Sequence, residues 1–146
     1  MQCYFDSDST QNSLEELIED ENYNFSRYNF FLINYLLSKN EILQAKKIIQ
    51  DSRKKYSSNL LIKQTEFFFL NNKNEKIRNL FDCRNPKDPL AEFFYVLANI
   101  YSGEKEYRMS NFYLKISLFL NNKFLPNKAL LAENFYYQKK FKESKK

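Results

Sequence analysis

Counted from Ala91, the chain repeats itself at a spacing of 34 residues. The segment Ala91–Tyr101 runs on into Lys105-Glu-Tyr107-Arg-Met-Ser110. One period later, Leu131-Ala132-Glu-Asn-Phe135 runs on into Lys139-Lys-Phe141-Lys-Glu-Ser144. Leu97 pairs with Leu131, Ala98 with Ala132, Tyr101 with Phe135, Tyr107 with Phe141 and Ser110 with Ser144, without a gap. A further copy lies upstream, where Leu32, Ile33, Leu36, Ile42 and Ala45 fall in register between Ser26 and Asn59. A period of this length belongs to arrays of helix–turn–helix units. One such hairpin cannot bury its apolar side alone, so successive hairpins must stack.

These residues resemble the tetratricopeptide repeat (TPR) family. Its pattern sets a bulky residue at position 4, Leu at 7, a small residue at 8 and an aromatic at 11. A second aromatic follows at 17, a small residue at 20 and Pro near 32. The Ala91 copy supplies Phe94, Leu97, Ala98, Tyr101, Tyr107 and Ser110, with Asn122 where Pro is usual. The Ser26 copy supplies Leu32 and Ala45, with Asn29 at the first bulky position and Ile33 at the small one. A degenerate copy of 31 residues, Leu60 to Leu90, has Phe67 at the small position. The resemblance implies an all-α, right-handed α-solenoid of about 3.5 helical hairpins over residues 26–146. Its copies are 26–59, 60–90, 91–124 and a partial 125–146, behind an acidic segment 1–25 with a short capping helix. The resemblance also implies a segment of a longer bacterial TPR protein.

Composition agrees with helices. The chain has 26 Phe plus Tyr and a 43% apolar fraction, enough for a core, but only one Gly and three Pro to punctuate it. That favours long helices with tight turns over a many-stranded β fold. Residues 1–22 hold seven acids and no base, so the remainder carries 23 bases against 11 acids, a net +12 over 23–146. A basic body fits nucleic acid or an acidic partner. Of the 23 bases, 18 are Lys, beside 18 Asn, a profile that an AT-rich genome writes by drift. Cys3 and Cys83 lack CxxC spacing and read as free thiols, which leans toward a reducing, cytoplasmic compartment. No apolar run is long enough to span a bilayer, and the N-terminus is acidic rather than signal-like.

Along the chain, Ser13-Leu-Glu-Glu16 reads as a capping box opening an acidic helix to about Asn22. Helices follow at 27–37 and 41–56, the second with Ile42, Ala45, Ile48 and Ile49 as one apolar stripe. Leu60–Leu70 is apolar over most of its circumference and fits either a helix buried on two sides or a buried strand. The repeat register favours helix. A short helix is expected at 75–81, then a loop at 83–87. Asp88 is expected to N-cap the next helix, with Pro89 in its first turn. Gly103 is expected at the left-handed position beyond that helix. Helices at 106–120 and from Pro126 to about Tyr137 follow, with another opening at Lys139. Leu131, Phe135 and Tyr136 then lack a covering helix, which implies that the array continues or self-associates there.

Chemistry is sparse. Without His there is no Ser–His or Cys–His couple and no imidazole ligand. One Gly excludes a P-loop or a dinucleotide fingerprint. The carboxylates Glu15, Glu16, Glu19 and Asp20 form a solvated acidic face. Catalytic, metal and cofactor sites are therefore not expected, which leaves binding. TPR arrays line a concave groove through positions 2, 5, 9 and 12. By resemblance, the groove candidates are Arg27, Phe30, Asn34, Gln64, Phe68, Tyr95 and Asn99. A carboxylate clamp is not implied, because Glu92 stands where a base is wanted. The reading is a protein- or peptide-binding scaffold, with RNA binding through the basic body as the alternative.

Overall fold

The computed structural model describes residues 3–5, 9–19, 26–140 and 142. Among these the fold is all-α, with eight helices and no strand. They are α1 (Thr10–Glu19), α2 (Ser26–Ser38), α3 (Ile42–Lys55), α4 (Leu60–Leu70), α5 (Asn74–Arg78), α6 (Lys87–Gly103), α7 (Tyr107–Leu120) and α8 (Leu125–Tyr137). The segment 60–70 is helical, as the repeat register led us to expect. Two compact units divide the chain, Met1–Phe81 and Asp82–Lys146.

Four helices end in the same turn. Asn40, Asn72, Lys105 and Lys139 have φ of 62°, 55°, 62° and 59°. In each case the next residue's N–H reaches back across the turn. Glu41 bonds the Leu36 carbonyl, Lys73 that of Phe68, Glu106 that of Tyr101 and Lys140 that of Phe135, at 2.8–2.9 Å. This six-to-one bond around a left-handed residue is the Schellman arrangement, which satisfies carbonyls that the helix end leaves unpaired. Glycine would take that conformation without a Cβ penalty, yet Gly103 lies inside α6 and Lys105 makes the turn. Gly103 is therefore misplaced by two residues in the sequence reading. An added Cβ there meets nothing within 4 Å. Gly103→Ala and Lys105→Gly are each expected to raise stability by about 0.5–1 kcal/mol, read as a higher urea midpoint. A drop for either would contradict these backbone angles.

Three further expectations give way. Ser13 sits inside α1 and donates its N–H to the Ser9 carbonyl, so the helix begins one turn before the supposed capping box. Gln11 bridges to Glu15 at 2.9 Å within that added turn, and the expected end at Asn22 lies outside the described residues. Asp88 does not cap α6, whose N-cap is Pro86. Its carboxylate turns back instead to accept the Asp82 N–H at 2.7 Å. Cys3 and Cys83 are not free thiols, since both are disulfide-bonded. Absence of a CxxC motif speaks only to local pairing, and the lean toward a reducing compartment loses its support. The helix expected from Lys139 falls mostly outside the described residues.

In the first unit α2 is the hub. Its buried residues Asn29, Phe30, Leu32, Ile33, Asn34, Leu36 and Leu37 cover rather more than half the circumference, and the rest of the helix is half-buried. Toward α3, Ser52 donates to Asn29 Oδ1 at 3.1 Å. Toward α5, the Asn34 amide donates to the carbonyls of Ile77 and Phe81, both at 3.0 Å. α1 also packs against α2, and its Gln11 donates to Gln44 Oε1 of α3 at 3.3 Å.

The second unit is held by a polar ladder. On α6, Ala91 and Ala98 stand seven residues apart; so do Ser110 and Ser117 on α7, and Asn127 and Asn134 on α8. Ser117 donates to the Ala91 carbonyl at 2.6 Å, and Asn127 Nδ2 donates to Ser117 Oγ at 2.8 Å. The other rung is the same chemistry: Ser110 to Ala98 at 2.7 Å and Asn134 Nδ2 to Ser110 at 2.7 Å. Between the rungs lie Leu114 and Leu130. Small residues at 98 and 110 let the backbones close, and the hydroxyls satisfy themselves across the gap. Beside this core Tyr113 stacks between Phe94 and Tyr101, at 6.2 and 5.5 Å between ring centroids.

Candidate binding faces

The four turns fix a common register. Seven residues before the left-handed residue stand Ile33, Thr65, Ala98 and Ala132, and four before it Leu36, Phe68, Tyr101 and Phe135. In the degenerate copy the small position is thus Thr65, fully buried, while Phe67 is 55% exposed. Gln64 and Phe68 move with it, to the places of Leu97 and Tyr101. The groove line of α4 becomes Asn59, Ile62, Glu66 and Phe69 instead. A turn-to-turn distance two residues shorter than the 34-residue period causes the slip.

The seven sequence candidates separate by burial. Phe30 is 0% exposed and is core. Asn34 is buried and spent on the two carbonyls of the α5 end. Arg27 is half-buried with its guanidinium 5.1 Å from the Tyr28 ring centre. Gln64 is half-buried, and its Oε1 is buried without a hydrogen-bond partner. Phe68 is half-buried, with the Lys76 ammonium 5.8 Å from its ring. Within the second unit Tyr95 packs beside Leu130 and Leu131, and Asn99 one turn later is exposed. Ser102 completes that line by donating to Asn134 Oδ1 at 2.7 Å. The α2 line is therefore closed, with Asn34 held at the α5 end, whereas on the α6 line α8 meets Tyr95 and Ser102 and leaves Asn99 exposed.

Surfaces that periodicity passed over are more exposed. Leu90, Phe93 and Ile100 on α6 are 51–58% exposed, and on α7 Phe112 is 55% and Phe119 88% exposed. The signal was present, since these apolar residues fall outside the repeat's own core positions.

Electrostatic features are modest. A shallow cleft of about 490 Å³ between α3 and α4 is lined by Gln50, Arg53, Lys54, Ser57 and Glu66. Arg53 is already held by Glu66 and by the Ser57 carbonyl, both at 2.6 Å. Among the described residues no three His, Cys, Asp or Glu side chains converge on a metal position, and no helix is long and apolar enough to cross a membrane. Burial raises the Asp88 carboxyl above its ordinary 3.8, reinforced by the Asp82 charge and opposed by the Asp82 N–H and by Lys123. The native state thus holds that proton more tightly than the unfolded chain does. Stability from this group is full below pH 3.8 and is lost as pH rises through the raised value. In Asp88→Asn, whose amide oxygen still accepts the Asp82 N–H, that fall should vanish from unfolding midpoints taken across acidic pH. An unaltered pH profile would show that Asp88 is not the source.

No protein-family model matches this chain, and neither a curated protein nor a solved structure is significantly similar to it.

Proposed function

We propose that the protein is a non-catalytic scaffold that binds an extended peptide or protein segment, built from TPR-like hairpins stacked as a right-handed solenoid. The observation that carries this reading is the recurrence of one turn at Asn40, Asn72, Lys105 and Lys139. Three hairpins and the helix α8 that share one exit geometry are what a stacked array needs. The buried small pair Ala98 and Ser110 supports it, since close helix approach is the purpose of those two positions. Tyr95 and Asn99 supply the groove: an aromatic edge for an apolar anchor and an amide for a peptide backbone.

Display of random peptides on the full chain tests the reading. Peptides selected by the wild type should lose at least about tenfold in affinity with Tyr95→Ala or Asn99→Ala, at unchanged helix content. Peptides indifferent to both changes would remove the groove. Single-stranded RNA bound with a steep salt dependence would favour the basic body as the working surface instead.

A further inference from the structure

Within the second unit α6 and α8 run in the same direction, because each lies antiparallel to α7. Ala91 and Asn127 both meet Ser117, and Ala98 and Asn134 both meet Ser110. A helical step is about 100°. Glu92 and Asn99 stand one step past the seam row of α6, and Ala129 and Glu133 one step before the seam row of α8. With the two helices parallel and Tyr95 and Ser102 at their contact, all four turn to the same side. The bond from Ser102 to Asn134, at 2.7 Å, sets Asn99 abreast of the turn 129–133. Asn99, Ala129 and Glu133 are exposed, and so is Tyr136, three residues beyond Glu133 on that side.

The charge here runs against that of the chain. Residues 23–146 carry a net +12, and α7 turns Arg108 and Lys115 outward and has no acid. Past the first turn of α6, in contrast, its one charge is Glu92, which is half-buried. The charges of α8 are Glu133 and Lys128, and five helical steps place Lys128 about 140° away from Glu133. Among the described residues, neither Glu133 nor the Asn99 amide has a hydrogen-bond or ion-pair partner. One exposed acid is ordinary on a surface. This one shares an open side with an uncommitted amide and a tyrosine ring, and with no base. A carboxylate and a ring one turn apart offer a guanidinium both an ion pair and a flat face to lie on.

We infer that this side of α6 and α8 selects a basic segment of a partner protein, with an arginine seated against Glu133 and Tyr136. The inference rests on the peptide groove proposed above and adds its charge preference. The whole chain, at +5, repels a cationic peptide at long range, so a preference for one has to come from these local acids.

The test uses peptides selected from random display on the full chain whose affinity falls with Tyr95→Ala or Asn99→Ala. They should be enriched in Arg, and exchanging that Arg for Glu should weaken a selected peptide at least about tenfold. Glu133→Lys should reverse the order of the two peptides, and Glu133→Gln should shrink the difference between them. Position 133 is exposed, so both variants should unfold at the temperature of the wild type. Tyr136→Ala should narrow the gap between Arg and Lys versions of the peptide. Selected peptides without an Arg excess, or an Arg preference that survives Glu133→Lys, would overturn this inference and leave the groove standing. Peptides that ignore both Tyr95 and Asn99 would remove the groove and this inference together.

Discussion

Replacing Asn134 by alanine should destabilise the second unit by about 2–4 kcal/mol, among the larger costs available to a polar side chain in this chain. Asn134 is fully buried and satisfied on every side. It donates to Ser110 at 2.7 Å and Asn111 at 2.9 Å, and accepts from Ser102 at 2.7 Å. Alanine removes all three bonds at once and leaves the partners in a dry interior, where an unpaired polar atom costs about 1–3 kcal/mol. The sister residue provides the control. Asn127 is equally buried, but its Oδ1 has no hydrogen-bond partner. Asn127→Leu has the same number of side-chain heavy atoms and removes that orphan, while Ser117 keeps its bond to Ala91. It should cost at most about 1 kcal/mol, and Asn134→Leu clearly more. Urea midpoints decide, and equal costs for the two leucines would mean that the hydrogen bonds do not set the difference.

Phe30→Ala should cost more still, about 3–5 kcal/mol, because a wholly enclosed aromatic side chain is lost from the hub helix. Phe119→Ala, 88% exposed on α7, should stay within about 0.5 kcal/mol. The contrast separates two roles for an aromatic residue. A Phe30→Ala protein of normal stability that lost peptide affinity would restore Phe30 to the groove and refute its placement in the core.

Much of the helix order was legible. Leu97, Ala98 and Tyr101 recur as Leu131, Ala132 and Phe135, and α6 and α8 end one 34-residue period apart, at Gly103 and Tyr137. The degenerate copy was misread because its turn comes early, and a run of Phe67, Phe68 and Phe69 gives no preferred phase. Asn71-Asn72 carried a usable clue, since Asn tolerates the left-handed region better than other side chains. Lys105 and Lys139 carried none. The candidate site was less legible. Periodicity assigns Phe30 and Asn34 to a face of α2, but it cannot say that α5 closes that face. Nor does it distinguish a solvent-facing Asn from one buried in a ladder, because Asn127 and Asn134 look like any other surface amides in an Asn-rich chain.

The heptad spacing of the two rungs has a mechanical corollary. Suppose α8 slid by one turn along α7. Both buried amides would leave their serine hydroxyls together, while the hydroxyls kept only their bonds to the α6 carbonyls. Intermediate alignments are therefore penalised at two places simultaneously, and the three helices are either seated or apart. An apolar seam of equal area would permit creeping misalignment; this one does not.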